Sequence, residues 1–358
     1  MNEFGVKFRI GIFGSSHGPC VGAKVEGCPA GSKISEAVIQ AELDRRSPGK
    51  GPITTSRKER DRLEIVSGIH RGKATGGPIV GLVRNQDTDS SVYDVFLRVP
   101  RPGHADYPAA VKYGGLHDHR GGGQFSGRMT AGLVIGGAVA RQVLEKSGIA
   151  LVAQTVQIGK VALRKDIPFS VAERLARASA VGCADRPTAD RMTEEIVKAH
   201  EQKDSVGGTV RCTVVGLPVG VGEPFFESIE SVMSAMMFSI PGVKGVEFGS
   251  GFRAASMRGS EHNDAYTVKA GKILTKSNNS GGILGGLSNG MPVEFAVAFK
   301  PTSSIARPQM SVDIQAKKPV ELEIKGRHDP CIVPRAVPVV ENAAAAVILD
   351  LMLQGGFI

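Results

Sequence analysis

The chain has 358 residues, with 44 Lys and Arg against 35 Asp and Glu, five Cys, 46 Gly and no Trp. That length allows one large domain or two, with a sizeable core and no need of disulfide or metal clips. An odd number of cysteines without Cys-x-x-Cys spacing argues against a disulfide framework and against a metal centre such as zinc.

The formal net charge of +9 calls for nucleic acid, a membrane surface or a phosphorylated small molecule as partner. The densest charge run, Arg57-Lys-Glu-Arg-Asp-Arg62, is mixed in sign, and aromatics make up only 5%. Both facts weigh against nucleic acid. No apolar run reaches the roughly 18 residues of a spanning helix, and no N-terminal apolar stretch leads to a cleavage site. The expectation is a cytoplasmic protein with reduced thiols and no membrane partner. Glycine is nearly double its usual share of about 7%, which points to tight turns and to places where backbone approaches something closely.

In chain order, Phe8, Ile10 and Ile12 alternate as a strand. Ser35 caps a helix over 35–46, which Ser47-Pro-Gly49 stops. A long apolar helix over 129–147 contains Gly132, Gly136 and Gly137, whose small size predicts close packing at the centre. Shorter amphipathic helices are expected over 170–178, 190–203 and 228–238, and a buried one over 338–353. Val210, Cys212 and Val214 alternate, as do Val293, Phe295, Val297 and Phe299, and Val320, Leu322 and Ile324. Clean alternation predicts antiparallel sheets with one covered face. No repeat, linker or boundary interrupts the chain, so 1–358 reads as one α+β domain.

Long Gly-rich connections at 103–127, 242–259 and 278–290 are functional loops by length. Six of the eight histidines, His17, His104, His117, His119, His262 and His328, fall in Gly- or charge-dense loops. In Gly14-Ser-Ser-His-Gly18 a strand-end turn either presents the His17 ring to a cleft or merely closes on a hydroxyl. A Ser–His nucleophile pair there lacks a Gly-x-Ser-x-Gly elbow. Asp106, two residues from His104, suits an orienting carboxylate for a general acid. His117-Asp-His-Arg120 lacks the further ligands of a metal site and reads as a polar loop. Arg120-Gly-Gly-Gly123 and Ser126-Gly-Arg128 before a helix have the makings of an anion cradle, though not of a P-loop or a Gly-x-Gly-x-x-Gly fingerprint. Lys300-Pro-Thr-Ser-Ser304 is either a phosphate- or flavin-edge binder or a plain turn. Gly326-Arg-His-Asp-Pro330 gathers three ionisable groups or is surface.

Taken in order, Phe13-Gly-Ser-Ser-His-Gly18, Asp44-Arg-Arg-Ser-Pro-Gly49, Arg101-Pro-Gly-His-Ala-Asp-Tyr107, 120–128, Asp204-Ser-Val-Gly-Gly208, Ser239-Ile-Pro-Gly-Val-Lys-Gly245, 281–290, Lys300–Ser304 and Gly326-Arg-His-Asp-Pro-Cys331 resemble the chorismate synthases over essentially the whole chain. The resemblance implies a helical layer between two antiparallel sheets and a homotetramer. It implies a lyase that removes phosphate and a ring proton from 5-enolpyruvylshikimate 3-phosphate by anti-1,4-elimination, with reduced FMN and no net redox change. An external NADPH-dependent flavin reductase is the expected partner. His17 resembles the histidine that places a proton on the reduced flavin, His104 the second acid, and Asp329 the carboxylate that helps the flavin accept the substrate proton. Ser16, Arg46, Arg128 and Arg327 match the substrate pocket. Gln124, Phe125, Ser126, Pro241, Gly242, Gly285, Lys300, Pro301, Thr302, Ser303, Ser304 and Arg327 match the cofactor contacts.

Three departures stand out. Ser15 replaces a Glu of the family's Gly-Glu-Ser-His-Gly, and Gln124 and Phe125 replace an Arg and a Ser. Two rival readings are a basic nucleic-acid binder and a flavoprotein oxidoreductase that kept the fold and changed its chemistry. A steep salt dependence would mark the first, steady NADPH consumption the second.

Overall fold

Alternating apolar residues bury one face of a strand, and here two such sets form separate antiparallel sheets. The computed structural model describes residues 2–47, 53, 61–86, 90–324, 326 and 328–358. The first sheet contains β1 (Glu3–Phe4), β2 (Arg9–Gly14), β3 (Cys20–Glu26), β4 (Leu63–Ser67) and β5 (Ile79–Arg84), in the order β1-β2-β3-β5-β4. The second contains β6 (Ala150–Ile158), β7 (Val161–Ala162), β8 (Gly208–Val215), β9 (Val243–Phe248) and β10 (Val293–Phe299), in the order β9-β10-β8-β6-β7. Val210 pairs with Val297 and Cys212 with Phe295, so both apolar sets face one way.

The helices are α1 (Glu36–Arg46), α2 (Asp106–Lys112), α3 (Thr130–Lys146), α4 (Phe169–Ala178), α5 (Arg186–Glu201), α6 (Ile229–Ser239) and α7 (Val333–Gln354). Helix α3 lies on β2, β3 and β5, α7 lies on β6 and β8, and the two pack on each other. The result is a helical layer between two antiparallel sheets, as expected. Two glycines of α3 make this closeness possible. A Cβ at Gly132 would fall 2.6 Å from the Gly22 carbonyl, and one at Gly137 would fall 2.0 Å from the Asn342 carbonyl. Helix α7 has the length and mean hydropathy (1.8) to cross a membrane, but its most apolar stretch is 94% buried inside the protein.

Several charged groups inside this layer are paired. Glu42 and Glu341 receive Arg45, Arg141 and Arg177 at 2.5–3.1 Å, joining α1, α3, α4 and α7. Asp350, buried near the end of α7, accepts from the backbone N–H groups of Val6, Lys7 and Phe8. The chain's two ends are thereby joined.

Two helices differ in extent from the sequence reading. Helix α5 begins at Arg186 rather than 190 because the Asp185 carboxylate caps it, accepting from Thr188 N–H at 3.2 Å. Helix α7 begins at Val333 and runs through Pro338. The alternating set at 320–324 gives β12 (Lys318–Leu322), which pairs with β11 (Gln309–Asp313) as a separate hairpin. Leu322 and Ile324 pack there on Phe96, backing the segment that carries Tyr93.

Candidate active site

The turn after β2 holds His17, buried to 6% exposure. Its Nδ1 is hydrogen-bonded to Ser90 Oγ at 2.9 Å, and Tyr93 meets the ring edge-on with centroids 5.1 Å apart. Opposite stands the glycine loop that precedes α3. Gly121, Gly122 and Gly123 all adopt positive φ, which lets the backbone bend where a side chain would not fit. A Cβ on Gly121 would lie 2.2 Å from His17 Cδ2, and one on Gly122 would lie 3.4 Å from His104 Nε2. Consecutive glycines therefore touch the two imidazoles, and the anion-cradle motif and both histidine motifs share one site.

His104 is caged by charge. Its Nδ1 lies 2.5 Å from Asp106 Oδ1 and 3.0 Å from Arg101 Nη2. Arg101 grips Asp106 through Nε and Nη2, both at 2.8 Å, and donates to Ser304 Oγ at 3.2 Å. The Arg101 guanidinium lies over the rings of Phe96 and Tyr93, 4.5 Å and 5.9 Å from their centroids, so one cation stands between the two histidine environments. Burial works to raise the Asp106 carboxyl, but hydrogen bonds from Arg101 and His104 hold it well below the usual range.

A second ionic group backs the start of α3. Asp61 is fully buried between Arg46, at 2.8 Å, and Arg128. The Arg46 guanidinium also donates to Thr130 Oγ1 and to the Gly127 carbonyl, both at 2.9 Å. Burial lowers the pKa of Arg46 to about 10 against the pull of Asp61. The Asp61 carboxyl is held below its ordinary value because Arg46 and Arg128 outweigh the burial that raises it. Asp329 is paired at 2.5 Å with Arg335, which donates from Nε to the Arg46 carbonyl.

Ser15, which stands where the motif has Glu, donates to Asp118 Oδ2 at 3.0 Å. Asp118 also takes Arg120 Nε and Nη2 at 2.8 and 3.1 Å, which lowers its carboxyl to about 2. A carboxylate from the glycine loop thus lies beside the turn whose own carboxylate is missing. His119 pairs with Asp94 at 2.9 Å, so His117-Asp-His-Arg120 is a polar clip. Beside the loop, a cavity of about 340 Å³ is lined by Gln124, Phe125, Tyr113, Met129, Met236 and Pro241, among others.

Three comparisons bear on this arrangement. The family model for chorismate synthase matches residues 8–353. A chorismate synthase of Korarchaeum cryptofilum is 49% identical over 351 residues, covering 98% of this chain and 97% of that protein. One of Methanocella arvoryzae is 48% identical over 359 residues, covering 100% and 95%. The chain belongs to the chorismate synthase family. A crystal structure of a chorismate synthase superposes with a TM-score of 0.77 at 27% identity, covering 98% of this chain and 93% of that one. The chain is accordingly a lyase acting on a phosphate ester.

Of the residues that the family resemblance singles out, His17, His104, Ser16, Ser126 and the Lys300–Ser304 turn come together. Ser126 Oγ donates to Ser16 Oγ at 3.2 Å, and Lys300 Nζ donates to the Gly103 carbonyl. Arg327 lies outside the described residues. Arg46 faces inward onto Asp61 rather than toward the histidines. Gly285 follows Leu284 in a small hairpin whose Gly286 carbonyl accepts from Ile229 at the start of α6. Pro241 and Gly242 follow the other end of that 11-residue helix, about 16 Å along its axis at 1.5 Å per residue. Sequence reasoning missed Asp61, Ser90, Tyr93, Arg101 and Arg335. Asp61 was hidden in the mixed charge run, where only its lone acid between two arginines marked it.

Proposed function

We propose that the chain removes phosphate and a ring proton from 5-enolpyruvylshikimate 3-phosphate to yield chorismate, with reduced FMN as cofactor. The observation that carries this reading is the pair of imidazoles, His17 and His104, touching consecutive glycines of one loop. Two features support a flavin beside them. Thr302 Oγ1 is buried without a hydrogen-bond partner, and the neighbouring cavity offers Phe125, Tyr113 and two methionines to a flat ring, with the Gln124 amide for its polar edge. Gln124, Phe125, Ser126, Pro241, Gly242 and the Lys300–Ser304 turn would hold the cofactor, together with Gly285 from the opposite end of α6. When bound, reduced FMN supplies electron density to an allylic system losing phosphate.

The protein's part is proton placement and charge compensation. His104 Nδ1 is committed to Asp106 and Arg101, which leaves Nε2 as the atom that carries a proton to the site. His17 Nδ1 is engaged by Ser90, so its Nε2, beside Gly121, is the exchanging nitrogen. Asp329, held by Arg335, would be the carboxylate that receives a proton. Arg128, and by the family resemblance Arg327, would meet the substrate's carboxylates and phosphate, and Ser16 would join them. Arg46 acts from behind by fixing Asp61, which fixes Arg128.

We read 1–358 as one domain, cytoplasmic, supplied with reduced flavin by an external NADPH-dependent reductase. Exposed Phe225, Phe226 and Phe252 (82, 89 and 85%) support a homo-oligomer, in line with the tetramer that the resemblance implies. The test is anaerobic phosphate release with reduced FMN. Turnover abolished by His104→Ala is expected, and equal release by wild type and variant would refute the reading.

A further inference from the structure

The His17 turn and the Arg128 guanidinium are bridged by one side chain that neither motif contains. Asn85 follows β5. Its Nδ2 donates to the Ser15 carbonyl at 3.0 Å and to the Gly18 carbonyl at 2.7 Å, the two backbone acceptors that flank Ser16 and His17. Its Oδ1 accepts from Arg128 Nε at 3.0 Å. The Asn85 backbone is itself anchored, its N–H donating to the Pro19 carbonyl at 3.2 Å. Arg128 in turn is held by the buried Asp61.

Only a side-chain amide satisfies all three partners at once. The two carbonyls need a donor group with two hydrogens, and the guanidinium needs an acceptor. A carboxylate of the same shape would keep the Arg128 contact and turn an oxygen onto two carbonyl oxygens. An apolar residue would serve neither side.

We propose that Asn85 is a positioning residue of the reaction, fixing the turn that carries His17 relative to the guanidinium of Arg128. The inference rests on the proposed roles of those two residues. It assigns to Asn85 two separable effects. Its amide nitrogen sets the placement of His17 and hence kcat, and its amide oxygen orients Arg128 and hence substrate binding.

Two variants separate the effects. Asn85→Asp keeps the Arg128 acceptor and loses both donors, so kcat falls about 100-fold, the scale of an ångström misplacement, while KM for the phosphorylated substrate stays within about threefold. Asn85→Ala loses everything, so kcat falls similarly and KM rises on the order of 10-fold, the scale of one lost hydrogen bond to a charged group. Wild-type kcat in Asn85→Asp would overturn the proposal, and so would the same change in kcat and KM in both variants. Loss of the far-ultraviolet helical signal in Asn85→Asp would also overturn it, because a purely structural residue is then at work. His17→Ala, assayed alongside, separates this inference from the reading beneath it. Wild-type turnover in His17→Ala refutes the role of His17, whereas lost turnover there with normal turnover in Asn85→Asp refutes the role of Asn85 alone.

Discussion

A single methyl group placed on Gly121 tests whether the glycine loop fixes His17. In Gly121→Ala the new Cβ would sit 2.2 Å from His17 Cδ2, 2.5 Å from Nε2 and 2.7 Å from Ser16 Oγ. Ordinary contact begins near 3.4 Å, so ring and loop must separate by more than an ångström. The ring has no space for that retreat, because Tyr93 lies against it and Ser90 holds Nδ1. A displacement of that size at a reacting group costs about 100-fold in rate. The left-handed backbone at φ +60° adds about 1–2 kcal/mol of strain to stability. Gly148→Ala is the control, since Gly148 has φ +75° with open space around its would-be Cβ. It carries similar backbone strain without a blocked imidazole. The assay is anaerobic phosphate release with reduced FMN, with thermal unfolding of each variant in parallel. Turnover of Gly121→Ala within about threefold of wild type, or an equal loss in Gly148→Ala, would refute the reasoning.

Other consequences of the structure are open to measurement. Glu341→Ala leaves three arginines sharing Glu42 alone and should cost about 3–5 kcal/mol in denaturant unfolding near neutral pH. Burial raises the Glu341 carboxyl, but Arg45, Arg141 and Arg177 hold it below its ordinary 4.5. Its contribution is therefore complete above that pH and fades as pH falls through the lower folded value, so acid should destabilise wild type more steeply than Glu341→Gln. Asp106→Asn removes the anchor of His104 and should lower turnover on the order of 10- to 100-fold; an unchanged kcat would count against the cage. Burial pushes the thiols of Cys28 and Cys331 up to about 11 and 12 and also raises those of Cys183 and Cys212. A thiol reagent at mildly alkaline pH should thus titrate only the half-buried Cys20 in the native protein and all five cysteines after unfolding.

How much was legible in the sequence depended on whether an element met solvent. Strand β10 has one face covered, and its alternation of buried and half-buried residues gave it away. Strand β6 is buried along both faces, beneath α7 on one side and α4 on the other, so it has no alternation to read. Strands β3 and β5 are interrupted by Gly22 and Gly81, which stand one register step apart, Gly22 opposite Leu82 and Gly81 opposite Ala23, and a Cβ on Gly22 would meet the Gly81 carbonyl at 2.5 Å. The Pro338 that looked like a helix start lies inside α7. At the site, the ordered motifs carried the histidines and the glycine loop. The clamp on His104 lies inside its own motif, Arg101 gripping Asp106, whereas the clamp on the glycine loop comes from elsewhere in the chain, Asp61 holding Arg128. The Asp61–Arg128 pairing spans 67 residues, and a long-range pairing leaves no local period to detect.

Helix α7 occupies the middle of the protein although it follows every other described helix in chain order. Its alanines and valines complete the layer between the sheets, and Asp350 near its end closes the backbone before β2. During synthesis, the elements that α7 packs against, α1, α3, α6, β6 and β8, must therefore wait with an open apolar face until this segment leaves the ribosome. The order of manufacture and the order of burial run opposite to each other. A nascent chain halted anywhere before residue 333 exposes the surfaces meant for α7, which makes it a client for chaperones and a source of aggregation rather than a partly working enzyme.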